Sequence, residues 1–250
     1  MDYPNRVIKA GETDASIVTA IQQRLTELGV GDLQSTGIFG PKTVAAVKQF
    51  QASHTDSYGN PLIADGKVGP ITWAVLFGTP VTQPAAAPTP LLAKAVEVAK
   101  GQIGVMEVPP GSNSGPMVNQ FLASTGTPPG NNWCAAFVYW CFDQAAQSLG
   151  VPNPLVKTAG CLDHWNRTTG TKILTADAVN NPSLIVPGSI FIRSYGNGFG
   201  HTGIVSAVNG GFMETIEGNS NNNGSRDGEG VFLLESRKIN SIEKGFIIYQ

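Results

Sequence analysis

Cys134, His201, Glu217 and Asn219 carry the reactive chemistry in this chain. Cys134 follows the turn Pro128-Pro129-Gly130-Asn131-Asn132-Trp133 and opens the apolar run Ala135-Ala136-Phe137-Val138-Tyr139-Trp140-Cys141. The pattern predicts a helix that begins beside the cysteine, with Asn131 or Asn132 as its cap. Unpaired N–H groups and the positive end of the helix dipole favour an anion there. A thiolate is the nucleophilic form of cysteine, and helix starts depress thiol pKa values.

His201 heads the run Thr202-Gly203-Ile204-Val205, which continues to Val208 before Asn209-Gly210-Gly211 turns the chain and Phe212–Glu217 returns. If the turn has three residues, Val208 pairs with Phe212, His201 falls opposite Asn219 and Gly203 opposite Glu217. Alternation then puts His201, Glu217 and Asn219 on one face, whereas a slip of one residue would send both acceptors to the other side. In the first register His201 can take the Cys134 proton and later deliver it to a leaving group. Glu217 or Asn219 can accept from the other ring nitrogen and fix the tautomer. The backbone N–H of Cys134 can help to hold an oxyanion.

Three further residues are candidates to line the site: Trp133, as a cleft wall beside the nucleophile, and Glu107 and Asn113 in the Gly/Pro-rich loop that precedes it. Cys134 and Cys141, seven apart on one helix, stand about 10 Å apart along its axis, too far for a bridge. Three free thiols are expected, with Cys141 and Cys161 buried or inert. His54 reads as a solvated loop histidine and His164 as a surface or packing one. The Cys and His spacings hold no zinc site, and Thr55-Asp56-Ser57-Tyr58-Gly59-Asn60 lacks the acidic spacing of an EF-hand. No metal and no organic cofactor are expected.

The elements that must position these groups make an α+β order: helices over residues 91–149, an irregular stretch holding Cys161 and His164, then strands around 190–192, 201–208, 212–217, 231–233 and 245–249. Before them, residues 12–29 carry Ile17, Ile21, Leu25 and Leu28 at helical spacing. Thr36-Gly37-Ile38-Phe39-Gly40-Pro41-Lys42-Thr43 and Asp65-Gly66-Lys67-Val68-Gly69-Pro70-Ile71-Thr72 then repeat one pattern, each opening a helix, which indicates a small helical domain on an internal half-repeat. Residues 79–90 hold four prolines among small residues and read as a semi-extended linker. The expected domains are therefore 1–78, 79–90 and 91–250.

Charged residues make up 14% of the 250, against roughly 25% in soluble domains, and the net charge is -2. That balance gives no general attraction to nucleic acid or anionic lipid, and no run approaches the roughly 20 apolar residues of a membrane span. No nucleic-acid partner, no membrane insertion and a monomer are expected. The first residues show no Sec signal, so the expectation is synthesis in the cytoplasm.

Residues 10–78, with Ile21-Gln22-Gln23-Arg24-Leu25, both turn motifs and Lys48-Gln49-Phe50-Gln51, resemble the peptidoglycan-binding domain found beside cell-wall hydrolases. Asn132-Trp133-Cys134-Ala135-Ala136-Phe137-Val138, Pro187-Gly188-Ser189-Ile190, Gly200-His201-Thr202-Gly203-Ile204-Val205 and Glu217-Gly218-Asn219 resemble the CHAP family of cysteine, histidine-dependent amidohydrolases/peptidases. The resemblance implies a papain-like core over residues 91–250, with Cys134 as nucleophile and His201 as base. It implies that Glu217 orients the histidine and that Asn219 gives further polar support. Ser189 stands where the family often has an acidic residue. The implied activity is cleavage of amide bonds in peptidoglycan, by an endopeptidase or an N-acetylmuramoyl-L-alanine amidase. An endolysin, acting in the periplasm or cell wall after release or dedicated export, is the first expectation. An exported wall-degrading toxin and a non-catalytic wall-binding protein are the alternatives.

Overall fold

The computed structural model describes residues 1–78, 86–221 and 228–249. The chain forms two compact units, one built on its N-terminal residues and one on the remainder. Residues 79–85 of the expected linker lie outside the described residues. At its end, Thr89 and Pro90 already serve the next helix as N-cap and first residue.

The N-terminal unit holds three helices: α1 (Ala15–Glu27), α2 (Pro41–Ser53) and α3 (Pro70–Phe77). Asp14 caps α1 by accepting from the Ser16 and Ile17 N–H groups, while α2 and α3 each open on a proline after a glycine. Val18, Ile21 and Leu25 pack with Val47, Phe50, Trp73 and Leu76 in one buried core. Leu28 is exposed, because α1 ends one residue before it.

The half-repeat is held by two buried glutamines. Gln22 Nε2 donates to Thr36 Oγ1, the Ile38 carbonyl and Thr43 Oγ1, while its Oε1 accepts from the Gly37 N–H. Gln51 Nε2 donates to Asp65 Oδ1, the Lys67 carbonyl and Thr72 Oγ1, while its Oε1 accepts from the Gly66 N–H. Each glutamine thus satisfies a turn whose backbone groups would otherwise be buried without partners.

The second unit is α+β. Its helices are α4 (Pro90–Lys100), α5 (Pro116–Ser124), α6 (Cys134–Leu149), α7 (Cys161–Arg167) and α8 (Thr175–Asn180). Its strands are β1 (Thr171–Leu174), β2 (Ile190–Gly196), β3 (Phe199–Asn209), β4 (Phe212–Ser220), β5 (Gly230–Lys238) and β6 (Gly245–Ile248). They form one antiparallel sheet in the order β1-β6-β2-β3-β4-β5. Helix α6 is apolar nearly all round and packs against α4, α5 and β4. The close approach to β4 depends on Gly218, where a Cβ would lie 2.6 Å from Phe137 Cγ and 2.7 Å from a Trp133 ring carbon. The helix that starts at Cys134 is thereby set directly on the strand that carries Glu217.

Candidate active site

Cys134 is the first residue of α6, but the cap differs from expectation. Trp133 occupies the N-cap with no side-chain cap bond, and Asn131 Nδ2 donates instead to the Pro128 carbonyl. The Cys134 sulfur receives the N–H groups of Ala135 and Thr202, both of which favour a thiolate. Thr202 follows His201 on β3, so the thiol sits against the backbone of the histidine strand. The expected depression of the Cys134 pKa is nevertheless overturned. Hydrogen bonding to the neighbouring Cys161 thiol, followed by burial, pushes Cys134 well above the ordinary thiol range, while the Cys134 thiol draws Cys161 down. Two adjacent thiols resist double ionisation, because the second charge meets the first.

Cys161 is buried, as expected, and is a neighbour of the nucleophile. It opens α7, and a Cβ on Gly200 would lie 2.8 Å from its sulfur. Cys141, buried without such a neighbour, is pushed up by burial alone, and all three thiols are free.

His201 and Glu217 share a face of the sheet, and His201 Nε2 lies 2.8 Å from Glu217 Oε2. A Cβ on Gly203 would lie 2.8 Å from Glu217 Cγ, so Gly203 adjoins the carboxylate side chain. Both strands run closer to the turn than expected, leaving Gly210-Gly211 between them. Glu217 is fully buried, and burial alone would raise its carboxyl. The His201 bond and charge, with Arg237 after them, outweigh burial and hold it at about 2. An ionised carboxylate can only accept, so His201 carries its hydrogen on Nε2 and leaves Nδ1 as the basic nitrogen. In this structure that ring bonds to Glu217 and not to the Cys134 thiol.

Asn219 does not reach His201. Its backbone is left-handed (φ 53°), and the β4–β5 pairing shifts between Glu217 and Ser220, which breaks the alternation the sequence reading relied on. Its Oδ1 accepts from the Trp133 N–H at 3.2 Å, and its Nδ2 donates to Asn113 Oδ1 and to the Gly228 carbonyl. Asn219 thus anchors the residue before the nucleophile.

Trp133 is wholly buried, stacked with Phe121, and its indole Nε1 donates to Glu107 Oε1 at 2.8 Å. The expected cleft wall is a core residue, placed there because Gly218 admits its ring. Glu107 is also buried, and its Oε2 accepts from the Asn113 N–H. Glu107, Asn113, Trp133 and Asn219 form one polar brace behind Cys134, with side chains committed to one another.

Arg237 was missed by the sequence reading. Its Nε donates to Glu217 Oε1 at 2.6 Å and its Nη2 to Oε2 at 2.7 Å, while Thr215 Oγ1 donates to Oε1. Between the pairs Met213↔Arg237 and Thr215↔Leu234 strand β5 holds an extra residue, a bulge that turns Arg237 onto the face of Glu217. His164 lies elsewhere, buried, with Nε2 2.8 Å from the Tyr249 hydroxyl, and burial lowers its pKa to about 4.

Among the described residues, no group of three or more His, Cys, Asp and Glu side chains could hold a metal ion, and no helix is long and apolar enough to cross a membrane. Residues 126–219 match the CHAP domain family model, and residues 14–76 match that of a peptidoglycan binding domain. No curated protein and no solved structure matches the chain. The CHAP match runs from the turn before α6 to Asn219 and so takes in the thiol, the histidine and its carboxylate: the chain carries a CHAP domain behind an N-terminal peptidoglycan-binding domain, which gives it a role in hydrolysing or binding the cell wall.

Proposed function

We propose that the protein is a peptidoglycan hydrolase that cleaves an amide bond with Cys134 as nucleophile and His201 as base. The observation that carries this reading is the buried His201–Glu217 pair, its histidine on the strand whose Thr202 N–H reaches the Cys134 sulfur. His201 Nδ1 takes the thiol proton as Sγ attacks the amide carbon, and the Cys134 backbone N–H at the start of α6 faces the developing oxyanion. The imidazolium, stabilised by Glu217, returns the proton to the leaving amine. Water, activated by the same nitrogen, then hydrolyses the thioester and frees the thiol. The N-terminal unit holds the polymer and raises the local concentration of scissile bonds.

We read the protein first as an endolysin, acting on the wall from the periplasmic side after release from the cytoplasm. An exported toxin would use the same steps. The test is digestion of chemically defined sacculi by wild type and Cys134→Ala, with mass spectrometry of the products. New amine termini within the peptides from wild type alone make it an endopeptidase. Peptides freed from intact glycan, with lactyl groups left on the sugar, make it an amidase. Equal fragments from both proteins, or binding without release by either, would sink the catalytic reading and leave a wall-binding protein.

A further inference from the structure

We infer that Arg237 is a positioning residue that keeps His201 in the tautomer able to accept the Cys134 proton, acting through Glu217. The inference rests on the amide hydrolysis proposed above. Arg237 grips both oxygens of the carboxylate, at 2.6 and 2.7 Å, and is itself largely buried, with its guanidinium 5.2 Å from the centre of the Phe191 ring. A bidentate fork fixes the plane of a carboxylate as well as its charge. Oε2 is thereby aimed at His201 Nε2.

The charged and titratable groups around Glu217 leave Arg237 without a substitute. His201 faces it from β3, and Arg193 and Tyr195 act on it from β2. Arg193 spends its own fork on Glu243, at 3.1 and 2.8 Å. Burial raises the Tyr195 phenol, which stays neutral. Thr215 and Ser220 offer Glu217 only hydroxyls.

Without Arg237, the fully buried carboxylate keeps only His201 against burial, the largest influence on it, and its affinity for a proton rises. Once that proton binds, the O–H donates to His201 Nε2, the ring hydrogen moves to Nδ1, and the nitrogen that must receive the thiol proton becomes a donor. The bond pattern survives while its direction reverses.

The tautomer can be read without turnover, by long-range 1H–15N NMR of the His201 ring in full-length Cys134→Ala protein. With Arg237 present, hydrogen stands on Nε2 at pH 7. With Arg237→Met it stands on Nδ1 at pH 7 and returns to Nε2 as the pH rises and Glu217 ionises. In the active chain Arg237→Met lowers kcat by about tenfold or more at pH 7, with KM within about twofold, and kcat recovers on the alkaline side. Arg237→Lys restores most of kcat at pH 7. A folded Arg237→Met protein with the Nε2 tautomer at pH 7 and the wild-type kcat profile would overturn the inference.

If Arg237→Met does not fold, Glu217→Gln/Arg237→Met leaves no buried charge unpaired and carries the test. Activity equal to that of Glu217→Gln alone supports a role through Glu217, and a further tenfold loss overturns it. Because the NMR arm needs no catalysis, failure of this inference and failure of the hydrolase reading remain distinguishable.

Discussion

The Cys134 and Cys161 thiols are hydrogen-bonded neighbours, so the two cysteines hold one negative charge between them more readily than two. Cys161 is the largest influence raising Cys134, while the Ala135 and Thr202 N–H groups work in the opposite direction. Removing Cys161 leaves the favourable donors and takes away the competitor. Cys161→Ala should therefore speed alkylation of Cys134 by iodoacetamide at pH 7, on the order of tenfold for each pKa unit released. Peptide mapping by mass spectrometry measures the rate. An unchanged or slower rate would show that the pair is not coupled.

Acid should destabilise the second unit in two stages. His164 is held neutral, at about 4 against an ordinary 6.5. The unfolded chain takes up that proton first, so this contribution is present above pH 6.5 and is lost as the pH falls towards 4. Glu217 is held at about 2 against 4.5, and its contribution is lost as the pH falls from 4.5 towards 2. Each shift is worth on the order of 3 kcal/mol. Urea unfolding across this range should show the slope between pH 6.5 and 4 flattened by His164→Asn. It should show the lower slope flattened by Glu217→Gln/Arg237→Met. Parallel curves for all three proteins would contradict the assignment.

Gly218→Ala should impair both stability and catalysis. The added methyl meets Phe137 and Trp133 within 2.7 Å, so β4 and α6 must separate. The expected cost is about 1–3 kcal/mol of overpacking, together with a loss of activity greater than the loss of folded protein. Comparing the fraction folded, by near-ultraviolet circular dichroism, with the hydrolysis rate separates the two effects. Equal losses would mean that the spacing matters only for folding.

Gln51→Ala should loosen one turn of the N-terminal unit. It removes the acceptor of the Gly66 N–H and the donor to the Lys67 carbonyl, both held at this buried side chain. An unsatisfied buried group costs about 1–3 kcal/mol. Hydrogen exchange in the full chain should rise at Gly66 while Gly37, held by Gln22, keeps its protection. Protection unchanged at Gly66 would show that the glutamine is dispensable.

The parts of this protein that follow a period were legible in its sequence. The stripe Ile21 and Leu25 follows from 3.6-residue spacing, and the turns at Gly37 and Gly66 and the helix opening at Cys134 follow from Gly/Pro turn signals set before apolar runs. What broke a period was hidden. Asn219 turns left-handed and leaves the face that alternation assigns to it. The bulge in β5 brings Arg237 onto that same face, where strict alternation from Phe232 and Leu234 would have put Ser236. Cys161 sits in a stretch with no periodic signal, and only the fold brings it against Cys134. Strand β1, four mostly exposed residues, carried too little apolar pattern to be seen. Trp133 looked available because it adjoins a nucleophile, yet adjacency along the chain says nothing of which way a side chain turns.

The two glutamine-pinned turns are alike within and unlike without. Gln22 and Gln51 reach their partners at the same separations along the chain: 14, 15, 16 and 21 residues. Yet the exposed residue that follows the pinned glycine is Ile38 in one turn and Lys67 in the other. Inheritance of the fold is thereby uncoupled from inheritance of the surface. Either outward position, apolar or cationic, can change without disturbing the frame that the glutamine holds.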